Sequence, residues 1–140
     1  MQSILVPGTL ESLSTVGQFV NSAANVAGLD KKKAYKLRLA VDEILTNIII
    51  HGYEEAGLSG DVSVTSALDE QQLSIVLEDS SGRFDPRSLG RPAHLDKPVE
   101  ERPVGGLGIY LTLENVDRFD YEYVNQRNRN IFIVNRPMES

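Results

Sequence analysis

Val41-Asp42-Glu43-Ile44-Leu45-Thr46-Asn47-Ile48-Ile49-Ile50-His51-Gly52-Tyr53 is an apolar stretch with polar groups set into it at regular intervals. Glu43, Asn47 and His51 stand at i, i+4 and i+8, so a helix carries all three on one face. A solvated polar stripe on an amphipathic helix explains this pattern. A chemical reading explains it too. The Asn47 side-chain carbonyl oxygen suits a hard cation such as magnesium, and Glu43, one turn away, can accept a proton or position a hydroxyl. His51 is expected to be structural, partnered to nearby backbone.

Working outward, Asp30 is placed to cap this helix, whose apolar positions Leu37, Ala40, Val41, Ile44, Leu45 and Ile48 recur at helical spacing. Gly52 reads as its end. Upstream, 3–7 reads as a short strand stopped by Pro7 and Gly8. Thr9 or Ser12 then caps a first helix running to about Ala27, with Leu10, Leu13, Val16, Phe19 and Val20 as its apolar stripe and Gly28 as its stop. Downstream, Val62, Val64 and Ser66 alternate with Ser63 and Thr65. A second strand covers 73–77, with Asp69-Glu70-Gln71 as the turn between the two. Residues 80–106 carry four prolines and form a long loop of the kind that is usually functional. A helix is expected over 107–115, then a hairpin of 119–124 and 131–134 around 125–130. The order β-α-α-β-β-loop-α-β-β predicts one α+β domain over 1–140: a two-layer sandwich with helices on one face of a mixed, mostly antiparallel sheet.

Two further patches carry chemistry. Leu77-Glu78-Asp79 ends a strand and runs into Ser80-Ser81-Gly82-Arg83-Phe84-Asp85-Pro86. A carboxylate at the end of a buried strand accepts a hydrogen bond from an amino group such as that of adenine; a plain turn rich in Asp, Ser and Gly is the other reading. In Val104-Gly105-Gly106-Leu107-Gly108-Ile109-Tyr110-Leu111, glycines open an apolar helix. There the backbone can approach a phosphate and free N–H groups can meet it, although a tight loop gives the same pattern.

The 140 residues are 41% hydrophobic and 24% charged, an ordinary globular balance. A formal charge of −6 argues against direct binding of nucleic acid, yet leaves a nucleotide site open, because glycine amides and a magnesium ion handle phosphates locally. The absence of cysteine removes disulfides and thiolate metal sites. No apolar run approaches a membrane span and no signal peptide is visible, so a cytoplasmic protein without membrane attachment is expected.

The order of the three patches resembles the N, G1 and G2 boxes of the GHKL superfamily, which shares the Bergerat ATP-binding fold and includes sensor histidine kinases, gyrase-type ATPases, Hsp90-like chaperones and MutL-like proteins. Within it, 43–53, Phe84-Asp85-Pro86 and 105–111 are similar to the serine kinases that act as anti-sigma factors. The resemblance implies ATP and magnesium as ligands. It implies Asn47 on the magnesium ion, Glu43 as general base or orienting group for a serine hydroxyl, and Asp79 on the adenine amino group. Gly105, Gly106, Leu107 and Gly108 would form the hinge of an ATP lid over 87–104 and contact phosphates. It also implies a homodimer whose partners are a STAS-domain anti-anti-sigma protein, as phosphorylated substrate, and a sigma factor. A nucleotide-responsive partner-switching module with weak or no kinase activity is the alternative. The sensor histidine kinase and gyrase-like readings are disfavoured, for want of a dimerising hairpin and a transducer domain. One position departs from the family pattern: Ser81 stands where a glycine is the rule. Either its side chain crowds the base or finds a water or backbone partner, or Gly82 takes over the glycine's backbone role.

Overall fold

Asp30 leaves the preceding turn in an extended conformation (φ −70°, ψ 169°), and its side chain accepts the Lys33 N–H at 2.7 Å. This is the cap expected from the sequence, and it starts α2 (Lys31–Asn47). Before it, α1 (Ser12–Ala27) ends on Gly28, whose φ of 78° is the left-handed geometry that a helix stop needs. The start of α1 differs from expectation. Neither Thr9 nor Ser12 caps it; Glu11 holds the cap position without a side-chain bond, and the Ser12 hydroxyl donates to the Pro7 carbonyl at 2.6 Å. Leu10, expected in the apolar stripe, is exposed, while Val16, Val20, Ala24 and Ala27 are buried.

The computed structural model describes residues 1–89 and 112–137. Five strands form one sheet: β1 (Gln2–Pro7), β2 (Asp61–Leu68), β3 (Gln72–Asp79), β4 (Arg118–Val124) and β5 (Arg127–Asn135). Their order is β1-β2-β3-β5-β4, and all four pairings are antiparallel, with no parallel pair among the described residues. The expected α+β sandwich is borne out. Alternate residues Val62, Val64, Leu73, Ile75, Leu77, Phe132 and Val134 face the helices and join Val16, Val20, Leu37, Val41, Ile44 and Leu45 in one core. Each such side chain contributes about 1.5–3 kcal/mol by leaving water. The Phe119 and Phe132 rings meet edge to face at 5.2 Å. Asp69 turns β2 into β3 by accepting the Gln71 and Gln72 N–H groups at 2.7 and 2.8 Å.

Two elements differ from the sequence reading in ways that shape the site. The second helix does not stop at Gly52. It runs on from α2 as a π-helical segment, Ile48–Glu54, and a glycine at positive φ comes only at Gly57 (φ 69°). Gly52 is needed for space: a Cβ there would lie 2.7 Å from Ser81 Oγ and 2.9 Å from Ser81 Cβ. The wider π turn accompanies a buried Tyr53, which donates its hydroxyl hydrogen to the Asp61 carbonyl at 2.9 Å and accepts the Ser80 N–H at 3.1 Å. Gly8 and Gly60 lie against its ring, each too close to carry a Cβ. The last hairpin is also tighter than expected. Only Asn125 and Gln126 form the turn, both at positive φ (53° and 63°), so β5 already begins at Arg127. Asparagines read as turn residues are therefore strand residues. Of the helix expected over 107–115, only its end falls within the described residues, where Thr112 and Leu113 are helical.

Candidate functional site

The register of the sheet builds the site. Asp79, the last residue of β3, pairs with Asn128 on β5, and two residues along each strand Leu77 pairs with Asn130. Over this corner lie the last turn of α2, which contributes Ile44 and Asn47, and the start of the π segment, which contributes Ile48. The loop after β3 contributes Ser81, Phe84 and Pro86. Together they line a cleft of about 20 Å³, room for roughly one water molecule. Asn47 and Asp79, predicted from separate patches, thus share one cleft.

Asp79 is completely buried. Its Oδ1 takes three donors: the Ser81 N–H at 3.0 Å, the Ser81 hydroxyl at 2.5 Å and the Asn128 amide at 3.1 Å. Its Oδ2 has none among the described residues, and neither has Oδ1 of the buried Asn130. A buried acceptor without a donor costs about 1–3 kcal/mol, so two of them in one cleft are a standing demand for donors. The amino group of an adenine ring meets that demand. In hydrogen-bonding character, though not in the present volume of the cleft, these residues fit an amino-bearing base.

Asn128 holds the wall of the cleft together. Its amide group donates to the Ser81 and Gly82 carbonyls at 3.2 and 3.1 Å as well as to Asp79, and its Oδ1 accepts the Phe84 N–H at 3.0 Å and the Tyr121 hydroxyl. Burial raises the Tyr121 hydroxyl above its ordinary pKa and keeps it a donor. Ser81 is itself buried, with its hydroxyl turned to Asp79. Its partner is thus the Asp79 carboxylate, not the water or backbone group expected from the sequence. Gly82 is not at positive φ, and a Cβ there would meet nothing within 4 Å, so its geometry gives no sign of a backbone role that only glycine fills.

On α2, the Asn47 amide nitrogen donates to the Glu43 carbonyl at 2.7 Å and lies 3.4 Å from Glu43 Oε1, which leaves Asn47 Oδ1 without a hydrogen-bond partner among the described residues. Glu43 and Asn47 are thus in contact on one half-buried face. No group of three or more His, Asp or Glu side chains capable of holding a metal occurs among the described residues. An oxygen-ligated magnesium ion would need oxygens from elsewhere, as phosphates provide. Next to Glu43, burial raises the Asp42 carboxyl above its ordinary pKa, and Arg38, 3.8 Å away, works against this. His51 does not pair with backbone as expected; its Nδ1 meets both Glu55 oxygens at 2.9 Å on the exposed side of the π segment, and it does not line the cleft. Gly105, Gly106, Leu107 and Gly108, with most of the expected lid, lie outside the described residues.

Sequence reasoning missed Asn128, Asn130 and the anchoring role of Tyr53. The signal for the first two was present: Asn128, Asn130, Phe132 and Val134 alternate at the period of a strand with one buried face.

Comparison with known proteins extends this picture. The family model described as histidine kinase-like ATPase domain matches residues 6–133. Proteins named serine-protein kinase RsbW, from Bacillus cereus and Bacillus thuringiensis, are each 31% identical over 109 residues, which cover 76% of this chain and 67% of the relative. The histidine kinase domain from the blue-light activated histidine kinase of Erythrobacter litoralis EL346 has a TM-score of 0.54 over 87% of this chain and 59% of that one. At 15% identity, that last likeness is one of fold alone. No helix among the described residues is long and apolar enough to cross a membrane.

Proposed function

This chain belongs to the histidine kinase-like ATPase domain family, and on that premise we propose that it is an ATP-dependent protein-serine kinase that acts as an anti-sigma factor. Its substrate is a serine on a STAS-domain anti-anti-sigma protein. Its other partner is a sigma factor, and it works as a cytoplasmic homodimer. The observation that supports this most is the Asp79 carboxylate, buried with three donors on one oxygen and, among the described residues, none on the other, in the same cleft as Asn47.

Asp79 would accept the adenine amino group on Oδ2, and Ile44, Ile48 and Phe84, which line the cleft, would offer the ring apolar contact. Asn47 Oδ1 would hold a magnesium ion together with phosphate oxygens, and that ion would neutralise charge on the phosphoryl group in transfer. Glu43, beside Asn47, takes the proton of the serine hydroxyl as the serine oxygen bonds to the γ-phosphorus and the bond to ADP breaks. Gly82, Gly105, Gly106, Leu107 and Gly108 furnish backbone groups to the phosphates and the lid. The alternative is a nucleotide-responsive partner-switching module with weak or no kinase activity, which a Ser81 side chain crowding the base would favour. With its hydroxyl bonded to Asp79, Ser81 gives that alternative no specific support.

The test is incubation with labelled ATP, magnesium and a STAS-domain antagonist from the same genome, followed by phosphoserine mapping. Label on a single antagonist serine, dependent on Glu43, supports the reading. ATP binding without transfer to any STAS-domain protein would refute it in favour of the switch.

A further inference from the structure

Ser81 and Asn128 belong to no assigned role, yet between them they supply all three hydrogen bonds of the Asp79 carboxylate, and all three go to the same oxygen. We infer that Ser81 and Asn128 are positioning residues for base selection: by occupying Oδ1 of Asp79 they fix Oδ2 toward the cleft, and the preference of the site for a 6-aminopurine depends on them. The inference rests on the reading of Asp79 as the base acceptor given above.

The terminal torsion of an aspartate is soft and two-fold, so an unrestrained carboxylate exchanges its two oxygens and can turn out of the plane of a ligand. Here the torsion is set from two sides. Ser81 approaches from the loop after β3 with both its N–H and its hydroxyl, and Asn128 approaches across the β3–β5 pairing. Neither donor is free to move. The Ser81 side chain is seated in the space left by the missing Cβ of Gly52. The Asn128 carboxamide is held at both ends, its nitrogen on the Ser81 and Gly82 carbonyls and its oxygen on the Phe84 N–H and the Tyr121 hydroxyl. An acceptor fixed in this way rewards a ring with an amino donor opposite it. It leaves a ring with hydrogen there unpaired, and sets acceptor against acceptor for a 6-oxo ring.

The serine thus does work in this chain that a glycine cannot do. A glycine at 81 retains the N–H but loses the hydroxyl, the shorter of the two Ser81 bonds.

The discriminating measurement is calorimetric titration of the full chain in magnesium buffer with two nucleotides, ATP and purine riboside triphosphate, which differ only in the 6-amino group. The wild type should prefer ATP by roughly 10- to 100-fold, the range for a hydrogen bond to a charged acceptor. Ser81→Ala should cut that preference by about fivefold or more while its affinity for the purine analogue stays within about twofold of wild type, because the lost function is aim and not shape. Asn128→Ala should cut the preference further, with a lower melting temperature as loop bonds are also lost. If Asn128→Ala fails to fold, Ser81→Ala decides the matter alone. An unchanged ATP preference in Ser81→Ala, or an equal loss for both nucleotides, overturns the inference and leaves the ATP reading standing. A wild type that binds neither nucleotide overturns the ATP reading, and the inference with it.

Discussion

The contact between Gly52 and Ser81 allows a substitution whose sign should reverse with its background. Gly52 lies in a helical segment at negative φ, where alanine is ordinarily the better residue by about 1 kcal/mol. Here a Cβ would stand 2.7 Å from Ser81 Oγ and 2.9 Å from Ser81 Cβ, well inside the 3.5–4.0 Å or so at which carbon atoms rest. Ser81 cannot retreat without giving up its bond to Asp79. Overpacking costs about 1–3 kcal/mol, and contacts this short against a held neighbour belong in the upper half of that range, so Gly52→Ala should destabilise by roughly 1–2 kcal/mol once about 1 kcal/mol of helix propensity is set against it. For 140 residues the unfolding entropy is about 0.3 kcal/mol per kelvin, which makes the loss about 3–7 °C in melting temperature. Ser81→Gly deletes both offending atoms, and the next neighbour of the new Cβ is Ile48 Cγ2 at an ordinary 3.9 Å. In that background Gly52→Ala should be neutral or stabilising by up to about 1 kcal/mol, a coupling of roughly 2 kcal/mol between the two sites. Thermal denaturation of the four proteins, followed by circular dichroism, measures it. An equal loss from Gly52→Ala in both backgrounds would refute the packing argument.

Asn47→Ala should weaken ATP binding in magnesium buffer by roughly tenfold or more and cost about 1 kcal/mol of stability for its bond to the Glu43 carbonyl; unchanged affinity by calorimetry would remove Asn47 from the metal. Glu43→Gln should bind ATP almost normally and transfer phosphate about 10²-fold more slowly, as read from single-turnover assays; a normal rate would make Glu43 a structural residue. The folded-state pKa of Asp42 is raised by burial, so this carboxyl favours the fold below its ordinary value of 3.8, and that contribution is lost as pH rises through the folded value. Asp42→Asn should therefore melt higher than wild type at about pH 7, with the advantage fading toward about pH 3; a lower melting point at neutral pH would mean that the ion pair with Arg38 outweighs desolvation.

Much of this architecture was legible because the responsible interactions are local. The Asp30 cap, the Gly28 stop and the apolar spacing from Leu37 to Ile48 are each decided within a turn or two of helix, and all three appear as read. The Asp69 turn is likewise a matter of one side chain and the N–H groups two and three residues on. The errors came where a residue serves a distant partner. Gly52 has the look of a helix stop, but its reason is Ser81, which arrives from the end of β3. Asn128 and Asn130 have the look of a turn, but β5 places them opposite Asp79 and Leu77, where they are buried and line the cleft. Asn47 and Asp79 were found by motif, yet their meeting in one cleft follows from the docking of α2 over the β3–β5 corner, which no local pattern states.

The insertion of β5 between β3 and β4 has a consequence for synthesis. Asp79 and Asn128 are 49 residues apart, so at ordinary translation speeds of about 5–20 residues per second some 2–10 s separate the two halves of the cleft. Through that interval α1, α2 and the β1-β2-β3 meander can already pack, but the free edge of β3 has no strand beside it and its Ile75 and Leu77 lack the cover that Phe132 later shares. A nascent chain at that stage has only half of the cleft and cannot protect its own edge from pairing with another chain. Pausing after Asp79 would lengthen this exposure, whereas rapid decoding from there to Asn135 would shorten it. Codon choice across that stretch thus bears on yield through aggregation, without altering a single residue of the finished protein.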